Sequence, residues 1–150
     1  MIDLTVTTLH LLFGAVWVGS VVFVTIAVFP SARDGNLDPD AFGWLLDRVV
    51  WFSRISAVVL LLTGGHLAGT RYTAESLTGT ASGHLVLTML ALWVGLIATV
   101  EIGASKVRRG LDERKLREPA HVGTTWFRVA SVLGVLVLVD AALLSAGVPG

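Results

Sequence analysis

Four long apolar stretches separated by short polar ones set the pattern of this chain: Leu4–Val28, Val49–Gly69, His84–Ala104 and Thr124–Ala146. Each is close to the ~20 residues with which a helix crosses ~30 Å of hydrocarbon. Inside lipid the backbone has no water to bond, and a helix satisfies its own polar groups. The pattern predicts an all-α integral membrane protein, a four-helix up-down bundle in one transmembrane domain over residues 1–150, surrounded by lipid bilayer. Only Asp3 is charged before the first stretch, which also outruns the ~7–15 apolar residues of a signal peptide. It therefore reads as a helix.

The connections, about 30–48, 70–83 and 105–123, are too short for a soluble domain. Asp38-Pro39-Asp40 reads as a helix start, with Ala41–Arg48 as an interfacial turn leading into the second span. Thr70–Gly83, rich in Thr, Ser and Gly, reads as a plain loop. The third connection carries Lys106, Arg108, Arg109, Arg114, Lys115 and Arg117; the first carries Arg33 and Arg48, and the second only Arg71. Basic connections stay on the cytoplasmic side, so the protein is expected in the cell membrane with both termini and the second connection extracytoplasmic.

The second and fourth stretches begin alike, Trp51-Phe52-Ser53-Arg54 and Trp126-Phe127-Arg128. The first and third share Ala15-Val16-Trp17-Val18-Gly19 and Ala91-Leu92-Trp93-Val94-Gly95. Paired matches in the same order predict a duplicated two-helix hairpin, the copies related about an axis along the membrane normal.

Ionisable residues inside the spans are costly and mark candidate sites. At the helical rise, His10 lies roughly 9 Å below the outer end of its span, His66 about 5 Å, and Asp140 again about 9 Å. His84 opens the third span, so every helix supplies one ionisable group to the outer half. Neutral imidazole ligates iron, copper and zinc. Gly14, Gly64, Gly65 and Gly69 offer room beside these residues, and Trp17 shares the face of His10. His121 falls in the cytoplasmic connection and reads as a solvated residue. Toward the inner side, Arg54, Glu101 and Arg128 lie at comparable depth and predict an ion-pair cluster joining the second, third and fourth helices. Its arginines could alternatively hold carboxylates of a ligand.

Composition narrows the chemistry. There is no cysteine, which excludes disulfides and thiolate sites, and Met1 and Met89 are the only methionines. Lysines and arginines number 11 against 11 acids, with no basic stretch interleaved with aromatics, so nucleic acid is not an expected partner.

The segment Leu9-His10-Leu11-Leu12-Phe13-Gly14-Ala15-Val16-Trp17-Val18-Gly19 resembles the first helix of the copper-resistance CopD-like membrane proteins, and of the related HemJ-type protoporphyrinogen oxidases. Trp126-Phe127-Arg128 resembles the aromatic-aromatic-arginine start of their last helix. The resemblance implies a four-helix membrane protein binding b-type haem through His10. Thr88 stands where those families usually carry a lysine, and Val129 and Ala130 where the oxidases carry polar residues. Protoporphyrinogen oxidation is therefore not expected.

The leading expectation is a membrane b-type haem protein that transfers electrons or oxidises a membrane-soluble substrate. His10 would be one axial ligand and His66 the second, with His84 as the alternative, and Asp140 would bond a ligand imidazole or relay protons. The alternative is copper, or another divalent metal, bound or transported through His10, His66 and His84. Without thiolates such a set suits Cu(II) better than Cu(I). A further alternative is a non-enzymatic membrane subunit. The residues leave open whether the protein is an enzyme, its redox partner, and whether it forms a homo-oligomer.

Overall fold

The computed structural model describes residues 1–113 and 115–147; Arg114 of the basic connection lies outside the described residues. Everything regular in it is helical: α1 (Ile2–Phe23), a π-helical turn (Val24–Val28), α2 (Phe29–Arg33), α3 (Pro39–Arg71), α4 (Ala74–Gly79), α5 (Ala81–Asp112) and α6 (Arg117–Ala146). α1, the π-turn and α2 form one continuous rod. Pro30 lacks an N–H and would press its ring on a carbonyl one turn back. The widened turn just before it, in which Phe29 N–H bonds Val24 O, accommodates that ring without breaking the helix.

The helices outrun the apolar stretches. α3 begins at Pro39, where Asp38 caps it by accepting from the backbone N–H groups of Asp40 and Ala41. The stretch Ala41–Arg48 is therefore helix continuous with the second span. The second connection contains α4, opened by a capping box between Thr73 and Ser76. α5 continues to Asp112 and α6 starts at Arg117, so the helices take up most of the third connection. Lys115 Nζ closes it at 3.1 Å from Glu113 Oε2.

Three helical rods are long and apolar enough to cross a membrane: Ile2–Arg33, Ala81–Asp112 and Arg117–Ala146. Four spans were expected. α3 has the length but carries Asp40, Asp47, Arg48, Arg54 and Arg71, which dilute its hydropathy.

Two kinds of seam join the rods. α5 and α6 run antiparallel and meet through small residues. A Cβ on Gly103 would lie 2.8 Å from Trp126 Cβ, and one on Gly95 3.3 Å from Leu133 Cδ1. Gly110 is filled by Pro119, and Gly123 by Val107 and Phe29. Lipid gives no hydrophobic drive between helices, so close approach over glycine is how dispersion attraction accumulates. α1 and α3, by contrast, meet through polar side chains. Trp17, 1% exposed, donates its indole N–H to Ser53 Oγ at 2.8 Å. α1 reaches α6 where the Ser131 hydroxyl donates to Thr25 Oγ1 at 2.9 Å and Val18 fills Gly134. Below these, Phe29, Phe42 and Phe127 pack together, all fully buried.

Candidate functional site

The seam between α1 and α3 holds a row of polar contacts. Asp3, His10 and Trp17 follow one another at seven-residue steps, so they share one helical face. Each meets α3: Asp3 Oδ1 is 3.3 Å from His66 Nε2, His10 Nδ1 is 2.8 Å from Thr63 Oγ1, and Trp17 bonds Ser53. Arg71 Nη2 donates to Thr7 Oγ1 at 3.4 Å near the same end.

Thr63 Oγ1 lies 2.8 Å from His10 Nδ1 and 2.7 Å from Val59 O. Both contacts are satisfied together when the hydroxyl donates to the carbonyl and accepts from His10 Nδ1–H, an arrangement that leaves the lone pair of the neutral ring on Nε2. Nε2 has no hydrogen-bond partner among the described residues. A ring held through one nitrogen with a free lone pair on the other is how proteins present a metal-ligating histidine. His10 sits half-buried against Gly64: a Cβ there would come 2.9 Å from His10 Cε1, so a larger residue would push the ring from this position. His66 donates Nε2–H to the Asp3 carboxylate at 3.3 Å, which leaves Nδ1 on the far side of the ring.

The remaining expected site residues lie apart from this pair. His84 turns back toward α4, its Nε2 2.9 Å from the Thr78 carbonyl, and is exposed. Gly83 beside it lets that corner close, since a Cβ would run into the backbone of Ser76 and Leu77. Asp140 is buried on α6, 5% exposed, with Oδ2 unpartnered. Among the described residues no three His, Cys, Asp or Glu side chains come together as a metal-holding group. In the inner half, Arg54 binds Glu101 bidentately, Nε to Oε1 at 2.6 Å and Nη2 to Oε2 at 2.9 Å. Arg128 is exposed on α6 and makes no ion pair among the described residues.

Asp3 and Thr63 were not singled out from the sequence. The seven-step spacing Asp3–His10–Trp17 was the available signal for Asp3; nothing in a single chain points Thr63 at His10.

A haem needs an apolar slot beside an unhindered imidazole. The groove of about 400 Å³ alongside α1 is lined by Gly19, Ser20, Phe23, Val24, Val28, Leu45 and Val49, with no histidine. His10 is instead wedged between Thr63 and Gly64. These residues do not fit a haem, and electron transfer through one gains no support from them.

No curated protein and no solved structure matches the chain. A family model does, over residues 45–144, from the first turns of α3 to the end of α6. It covers His66, His84, Asp140 and the Arg54–Glu101 pair, and leaves α1 outside. With two thirds of its length matched and its rods apolar enough for lipid, this chain is a membrane protein belonging to the copper resistance protein D family.

Proposed function

We propose that this protein handles copper as cargo, receiving the ion at the outer end of the α1–α3 seam through His10 and His66, with Asp3 beside them. In this reading the four long helices form an up-down bundle, α3 supplying the fourth span, with both termini outside. Support for the orientation comes from Arg33, Arg48, Arg108, Arg109 and Arg117 gathering at one end, against Arg71 alone at the other. Trp44, with Arg48 5.2 Å over its ring, and Trp126, with Lys106 at 5.8 Å, suit the inner interface.

The observation that carries the reading is that Thr63 holds His10 through Nδ1 and leaves Nε2 without a partner among the described residues. Encountered in succession and not as one three-ligand group, the Asp3 carboxylate and the two imidazoles are oxygen and nitrogen donors, which favour Cu(II); Cu(I) prefers thiolates and thioethers, and the chain has no cysteine. The Asp3–His66 pair lies near the mouth and can bind an arriving ion electrostatically, and His10 lies two turns deeper on the same face of α1. Asp140 and His84, set apart from the seam, have no part in this first step.

The test is Cu(II) titration of the purified protein, read by calorimetry and by electron paramagnetic resonance for nitrogen coupling. Nitrogen-coupled binding should disappear in His10→Ala with His66→Ala. Thr63→Val removes only the group that orients His10, and should weaken binding about tenfold, the lower end for loss of an orienting partner. Unchanged binding in the double variant would overturn the assignment; no binding by the natural sequence would overturn the copper reading itself.

A further inference from the structure

We propose that the outward face shared by α3 and α5 docks a second copy of this chain, forming a two-fold dimer in the membrane. The proposal rests on α3 and α5 spanning the bilayer and is independent of copper.

Two ion pairs cross this face like rungs. Arg54 of α3 binds Glu101 of α5, and seven residues away on both helices Asp47 binds Arg108, Nε to Oδ1 at 2.8 Å. The pairs do not face the interior: side-chain exposure is 59% for Arg54 and 33% for Glu101, 37% for Arg108 and 63% for Asp47. Charged groups within spans ordinarily face the protein interior or an aqueous cavity, because lipid offers them no compensation. Glu101 lies inside the apolar stretch of α5, so the upper rung is held against hydrocarbon unless protein covers it.

The charge pattern identifies the cover. Each rung is neutral, with opposite signs on the two helices, and the sign reverses from one rung to the next. A two-fold axis along the membrane normal keeps every residue at its depth and sets α3 of one copy opposite α5 of the other. Arg54 then faces the second copy's Glu101, and Asp47 its Arg108, so each rung closes into a square of alternating charge. Arg54 uses Nε and one Nη on its own Glu101, and its remaining N–H donors have no partner among the described residues, so they can reach the other copy. An anionic lipid headgroup matches the arginines but would meet Asp47 and Glu101 with repulsion. Outward of the rungs, Ala91 and Ala98 are exposed on the same side of α5, seven residues apart, small enough for a second helix to approach closely.

Reversing one charge at a time tests this. Arg54→Glu gives each copy two acids at the upper rung and Glu101→Arg gives two cations, so either variant alone should be monomeric by mass in lipid nanodiscs. Co-expressed with different affinity tags, the two variants restore opposite charges across the interface and should purify together as a dimer. Helical content by circular dichroism identifies a variant that fails to fold. Independently of charge, Ala98→Cys gives the chain a single thiol, and it should form a disulfide-linked dimer in membranes several-fold faster than Val132→Cys on the exposed face of α6. A monomeric natural protein, or equal cross-linking at the two cysteines, would overturn the proposal, as would monomers whose anionic-lipid binding depends on Arg54. Release of the protein from membranes by alkali would instead overturn the spanning reading on which it stands.

Discussion

Gly123→Leu is expected to destroy the packing of α5 on α6. A Cβ at this position would already run into Val107 and lie 2.6 Å from Phe29 Cε1, and both of those side chains are fully buried. Neither is the free end of a flexible chain, so the backbones must part. Overpacking a filled core costs about 1–3 kcal/mol, and more where backbone must move. Because the close approaches at Gly103 and Gly110 lie along the same seam, parting the helices at one point loosens the others. The expected result is loss of the monodisperse peak on size exclusion and of the cooperative thermal transition in detergent. Gly19→Ala is the control, since nothing lies within 4 Å of a Cβ there. Its melting temperature should match that of the natural protein; an unaffected Gly123→Leu would show that the two helices do not pack as described.

Phe29→Ala is the second large effect. The ring of Phe29 lies edge-on to Phe42, centroids 5.4 Å apart, and 4.8 Å from Phe127. One side chain thereby ties α2 to both α3 and α6 at the inner end. Deleting a buried phenylalanine costs about 3–5 kcal/mol, through the packing removed and the cavity left behind. For a chain of this size that corresponds to a fall of about 10 °C in melting temperature. Phe29→Leu retains most of the volume and should melt between the two. Equal melting of all three proteins would mean that the aromatic cluster does not hold the inner end together.

The positions of the helices were legible in the sequence, and the directions of their side chains were not. Hydropathy located the three rods long and apolar enough for lipid, because lipid solvation acts on each residue separately, and Asp38 signalled the start of α3 by its capping chemistry. The rods are longer than their apolar stretches because hydropathy reports lipid and not helix: α5 runs on through Lys106, Arg108 and Arg109 with its backbone bonds intact. The rise per residue placed His10, His66 and Asp140 at similar depths. Which way each side chain faces depends on how the rods rotate and cross, and that is set by long-range fits such as Gly103 on Trp126. So His10 and His66 line the α1–α3 seam, whereas His84 is turned back on its own loop. The repeat shows the same limit. Trp17 and Trp93 match in sequence, yet Trp17 finds Ser53 while the indole N–H of Trp93 is buried without a partner.

The two seams also give the molecule unequal stiffness. Separating α5 from α6 means withdrawing side chains from glycine-sized recesses, where dispersion attraction falls away within a fraction of an ångström. α1 meets α3 through fewer such fits, the ring of His10 against Gly64 among them, and otherwise through hydroxyl, indole and imidazole hydrogen bonds. The α5–α6 hairpin is therefore the more tightly keyed half of the molecule, and His10 and His66 belong to the other, so a small displacement of α1 against α3 would move them relative to each other without withdrawing any side chain from the α5–α6 recesses.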